Sequence, residues 1–261
     1  MAHRSLTYSS YLALDELLSA QHASSGEHDE LLFIVIHQIY ELWFKQLLHE
    51  SARLQNRLEA GDTPHALNTA KRILTILKTV VAQIDVLETM TPSQFLSFRA
   101  RLDAASGFQS AQFRELEAVL GRRNPTMPGA YPQDSPARAR IEAAMRRPCL
   151  YDSLLRYLAS HGYQLPARAL ERDVTRPLES DPEAQSAILA AYRDDGDAAQ
   201  VCERLVDLDE GLMEWRYRHV QMVRRTIGER TGTGGSSGAR YLASTLLSPA
   251  FPDLWAVRTE L

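Results

Sequence analysis

Apolar residues recur at steps of three and four along nearly the whole chain, and no convincing stretch alternates with the period of two that a half-buried strand needs. That regularity predicts an all-α fold. Residues 9–21 read as a short helix, 29–60 as one long helix ending at Gly61-Asp62, and about 64–88 as a third. The third carries the stripe Ile73, Leu77, Val80, Val81, Ile84 and Leu87. Thr91-Pro92-Ser93-Gln94 is a helix start, with a Thr cap, proline in the first turn and Gln three residues on. Ser106-Gly107-Phe108-Gln109 repeats the pattern, so 92–102 and 107–120 are expected as two helices across a tight bend.

A Pro/Gly loop at 121–136 is longer than most connections in compact domains. Amphipathic helices at about 137–147 and 149–160 follow, then a Pro-containing stretch through 164–182. The last long helix spans roughly 197–228, and a short helix from Tyr241 precedes the FPDLW end. Neither an internal repeat nor a low-complexity linker divides the chain. Residues 1–261 are therefore expected to form one all-α domain of long antiparallel helices, with about 121–182 a smaller helical excursion.

At 261 residues, 44% hydrophobic and 24% charged, the composition is globular. His, Gln, Glu and Lys interrupt every long apolar run, so no membrane span is expected, and the N-terminus lacks a secretory core. Cys149 and Cys202 have neither CxxC nor metal spacing, which predicts a reduced, cytoplasmic setting. A net charge of −4 gives no reason to expect a nucleic acid.

Two histidines stand on oily helix faces. Phe33, His37, Tyr40, Phe44 and Leu47 make one stripe, and Leu208, Leu212, Trp215, His219 and Met222 another. A core-facing imidazole needs a hydrogen-bond partner, a metal or a ligand; the ordinary reading of either histidine alone is a bond to a carbonyl one turn away. Neither belongs to HExxH or to an ExxH pair, which disfavours zinc and di-iron. A haem needs one neutral imidazole and a shaped distal pocket, and without CxxCH it is held non-covalently. Glu41 and Lys45, four apart, read as a helical ion pair.

Arg99 shares a face with Phe95 and Leu102; it is either a guanidinium with its stem on the core or a clamp for a carboxylate. Ser106, just past the Arg99 helix, reads as a cap or as a hydroxyl placed in the same cavity as Arg99. TGTGGSSG, residues 231–238, fails both the P-loop and the dinucleotide patterns; it reads as a connector or as a hydrogen-bonding cover over a ligand. Tyr8, Tyr11 and Leu12 pack on a neighbouring helix or reach another subunit.

HDELLFIVIHQIYELWFKQLLHE, FRARLDAASGFQSAQFRELE and WRYRHVQMVRRTIGERTGTGGSSG together resemble the tryptophan 2,3-dioxygenase family, over nearly the whole chain. The resemblance implies a haem b-dependent homotetramer that opens the indole C2–C3 bond of L-tryptophan with O2. The product is N-formyl-L-kynurenine, in the first step of the kynurenine pathway. Residue by residue, His219 matches the proximal iron ligand and His37 the distal histidine that meets the indole N–H. Arg99, with Phe95 beside it, matches the grip on the substrate carboxylate, and Thr233 the contact to its ammonium. Phe33 and Ser106 match pocket and haem-side positions, while Tyr8, Tyr11 and Leu12 match residues that complete a neighbouring subunit's pocket.

Two departures stand out. Ile84 is aliphatic where the family often carries an aromatic, and Asp103-Ala104 replaces a pair that often ends in proline. The same pocket residues leave open a haem monooxygenase of this fold acting on a substituted tryptophan or indole; a haem-storing helical protein and a plain bundle are the remaining alternatives.

Overall fold

The computed structural model describes residues 6–102, 109–230, 243 and 245–261, and every regular element among them is helical. The helices are α1 (Tyr8–Leu12), α2 (Leu14–Leu18), α3 (His28–Glu59), α4 (Thr63–Leu87), α5 (Pro92–Arg99) and α6 (Ala111–Val119). Then come α7 (Pro136–Met145), α8 (Leu150–Ser160), α9 (Ala167–Leu170), α10 (Pro182–Asp194), α11 (Asp197–Ile227) and α12 (Pro252–Ala256). Short 3-10 turns occupy Met127–Ala130 and Val257–Thr259.

Helix α4 lies between α3 and α11, and its whole predicted stripe is buried. Tyr40 ties α3 to α4 by donating its hydroxyl hydrogen bond to the Val80 carbonyl. α3 also packs on α6 and α8, and α10 on α11. The chain reverses from α3 to α4 at Gly61, whose φ of +66° suits a residue without Cβ. Asp62 then caps α4 by accepting from the His65 N–H. Before α3, the buried Glu30 carboxylate accepts from the Ser24 and Ser25 amides and the Ser25 hydroxyl, fixing the approach to the helix.

The Thr91 capping box forms as expected, with Thr91 and Gln94 each bonding the other's backbone N–H. Several boundaries differ from expectation. The single helix at 9–21 is two short helices broken at Ala13, which takes a left-handed φ of 49°. α6 is described from Ala111 and is capped by Ser110; most of the box expected at Ser106 lies outside the described residues, as do Tyr241 and Leu242 of the predicted short helix. α10 was not anticipated, because its buried face is built largely from Ala184, Ala187 and Ala191 and gives little apolar contrast. Its Asp181 cap and Pro182 are sound start signals that the surrounding prolines disguise. α9 is also absent from the sequence reading.

Contrary to expectation, α3 is long and apolar enough, by length and composition, to cross a membrane. Within the structure it packs on α4, α6 and α8 and buries Glu30, Tyr40 and Glu50.

Candidate cofactor and substrate site

His37 and His219 line one cavity between α3, α4, α6 and α11, together with Tyr40, Phe44, Phe113 and Trp215. The fully buried residues of α11 near this level are Leu212, Arg216 and Val220, whereas Trp215, His219 and Met222 are half-buried. The predicted stripe is thus core at Leu208 and Leu212 and cavity wall from Trp215 onward. On α3, likewise, Phe33 and His37 are half-buried while Tyr40, Phe44 and Leu47 are core.

Both imidazoles are held neutral. Burial pushes His219 down to about 4, and the neighbouring His37 and the Arg114 cation add to the effect. Burial also lowers His37, against the hydrogen bond to Phe33 and the field of Glu41. The His37 Nδ1–H donates to the Phe33 carbonyl at 2.7 Å, since a carbonyl only accepts. That fixes the tautomer and leaves Nε2 with a free lone pair. His219 differs: its Nδ1 is buried with no hydrogen-bond partner.

Among the described residues no group of three His, Cys, Asp or Glu side chains is placed to hold a bare metal ion. A lone neutral imidazole fits a metal that brings its remaining ligands in a macrocycle. The donor set therefore suits a haem. The described side chains leave a cavity of about 90 Å³, below the roughly 300 Å³ at the low end of small-molecule sites. Trp215 stacks on His219 at 5.1 Å between centroids and packs on Phe113 at 4.7 Å with the planes tilted by 42°.

Phe33 joins His37 to α5: its ring lies 4.1 Å from His37, 5.8 Å from Phe95 and 5.7 Å from Phe98. Arg99 follows Phe95 by one turn and is half-buried, but it does not line the cavity that holds both histidines. Tyr8, Tyr11 and Leu12 are exposed, at 76%, 73% and 42%, and line no part of it. Ser106 and Thr233 lie outside the described residues. The expected Glu41–Lys45 ion pair is not among the salt bridges; Glu41 instead accepts from Gln112 on α6, through both its carboxylate and its carbonyl. Ile84 lines the cavity, so the aliphatic departure falls on the site itself.

Periodicity did not single out Phe113, Arg114, Glu117 or Arg216 as wall residues. The available signal was Arg216, a charge four residues from Leu212 and from Val220 on a core face.

Fold and cavity together describe an all-α protein with two neutral imidazoles on one aromatic-lined cavity. The comparisons with known proteins make this specific. The family model described as tryptophan 2,3-dioxygenase matches residues 1–132 and 190–261. Proteins named tryptophan 2,3-dioxygenase are similar over nearly their full length. The one from Anaeromyxobacter dehalogenans is 65% identical, covering 98% of this chain and 96% of its own. Those from Herpetosiphon aurantiacus and Caulobacter vibrioides are 55% and 46% identical, with 99% of both chains and 98% of both chains covered. The chain belongs to the tryptophan 2,3-dioxygenase family.

Proposed function

We propose that this chain is a haem-dependent dioxygenase that cleaves the indole C2–C3 bond of L-tryptophan with O2 to give N-formyl-L-kynurenine, the first step of the kynurenine pathway. The observation that carries the reading is the pair of neutral imidazoles, His37 and His219, on one aromatic-lined cavity in a chain of this family.

His219 is assigned as the ligand of a non-covalent haem b, and its depressed basicity leaves the lone pair available at neutral pH. The haem, when bound, supplies the iron that activates O2. On the substrate side, the His37 Nε2 is free to accept from the indole N–H because Nδ1 is committed to Phe33. Its role is orientation, since a neutral imidazole is a weak base towards indole. Phe33 and Phe95 supply an aromatic wall, Arg99 the two-pronged donor for the carboxylate and Thr233 the contact to the ammonium. Ser106 is assigned to the haem side. Fixing both ends of the substrate lowers the barrier by restricting its freedom, on the order of several kcal/mol.

A homotetramer is part of the reading. Leu6, Tyr8, Tyr11 and Leu18 are each more than two-thirds exposed, an apolar arm that a neighbouring subunit's pocket would cover. A cytoplasmic setting accords with Cys149 and Cys202, both free and buried.

The test is reaction of the reduced, haem-loaded protein with L-tryptophan under 18O2. N-formylkynurenine carrying two labelled atoms is expected; one labelled atom would establish a monooxygenase, and the absence of a Soret band would remove the haem.

A further inference from the structure

Glu117 on α6, only 5% exposed, is surrounded by guanidinium groups. Arg114 approaches its carboxylate to 2.6 Å, Arg216 to 3.6 Å and Arg122 to 3.8 Å. Arg216 is itself 4% exposed. Its Nη1 donates to the Ser248 carbonyl, while its Nη2 is buried without a hydrogen bond. The nearby Asp209 is already occupied, accepting from the Ala250 and Phe251 amides and the Trp255 indole N–H. Burial, reinforced by Arg122, pushes Arg216 down to about 10, which leaves it cationic at neutral pH. Arg216 is thus a buried cation whose Nη2 lacks a hydrogen-bond acceptor while Glu117, the carboxylate 3.6 Å away, is engaged by Arg114 at 2.6 Å, an arrangement that is costly unless a further acceptor arrives.

The position of the cluster indicates what that charge belongs to. Arg114, Glu117 and Arg216 line the cavity of the two histidines. Arg114, Glu117 and Arg122 line an adjoining, more open space of about 520 Å³, so the cluster stands where the two meet. Arg216 precedes His219 by three residues, placing guanidinium and imidazole on neighbouring turns of one helix. Arg99, the residue assigned to the substrate carboxylate, lines neither space.

We propose that Arg216 and Arg122, around Glu117, seat the acidic side arms of the cofactor, so that α11 holds its metal through His219 and its carboxylates through Arg216. This rests on the haem reading above. It assigns the cluster to the cofactor and not to the amino-acid substrate.

The experiment is titration of the apoprotein with haemin and, separately, with haemin dimethyl ester, whose two acids are capped, following the Soret band. Wild type is expected to bind the ester roughly ten- to a hundredfold more weakly, the value of charged hydrogen bonds. Arg216→Met should lose affinity for haemin and keep that for the ester, and binding of the ester reports that the variant is folded. Should Arg216→Met fail to fold, the more exposed Arg122→Met carries the same comparison. Equal binding of the two forms by wild type, or equal losses of both in the folded variants, overturns the proposal. A wild type that takes up neither form overturns the haem reading together with it.

Discussion

The indole ring of Trp215 lies against the imidazole of His219, centroids 5.1 Å apart and planes inclined by 21°. Phe113 packs on Trp215 in turn, so rings of the cavity's own wall crowd the space beside His219. On the proposed reading, uptake of a macrocycle is expected to wait on movement of these rings. Trp215→Ala is expected to speed haemin association in stopped-flow absorbance while destabilising the apoprotein by about 3 kcal/mol in denaturant titration. An association rate no faster than wild type would show that these rings do not gate entry.

His219→Gly should abolish haem uptake, and millimolar free imidazole should restore a Soret band by occupying the vacated space. Retention of the pigment without imidazole would remove His219 as the ligand. The rescue distinguishes loss of a bond from loss of the fold.

The Nδ1–H bond from His37 to Phe33 predicts a substrate-specific effect. His37→Ala should weaken L-tryptophan about tenfold, the value of one neutral hydrogen bond, and leave 1-methyl-tryptophan, which has no indole N–H, nearly unchanged. Equal losses for both in equilibrium binding would mean that His37 acts on shape alone.

Glu30 offers a pH test away from the site. Bonds from Ser25 and Ser24 hold its carboxyl below the ordinary 4.5. A carboxylate depressed in the folded state contributes fully above its unfolded pKa, and that contribution fades as acid titrates it through the lower folded value. Glu30→Gln should cost about 2 kcal/mol at pH 7, and the gap to wild type should narrow below pH 4.5 in urea titrations. A gap that stays constant with pH would assign the loss to packing.

The long helices were legible because α3, α4 and α11 place large apolar residues at helical spacing, and the two histidines stood out for breaking those stripes. What sequence did not reveal depends on tertiary neighbours. The burial of Glu117 and Arg216 is decided by elements far along the chain, and a charged residue on a helix reads by default as solvated. Glu41 shows the same limit from the other side: Gln112, on another helix, replaces the local lysine as its partner. α10 escaped because alanines pack closely without announcing a face.

Asp209 fastens the segment from Ala250 to Trp255 onto α11, and Phe251, Leu254 and Val257 are fully sequestered beneath it. The tail is therefore a keystone and not a trailing end. Removing the residues from Ala250 onward would strip a carboxylate of its donors and open a void under the helix that bears His219.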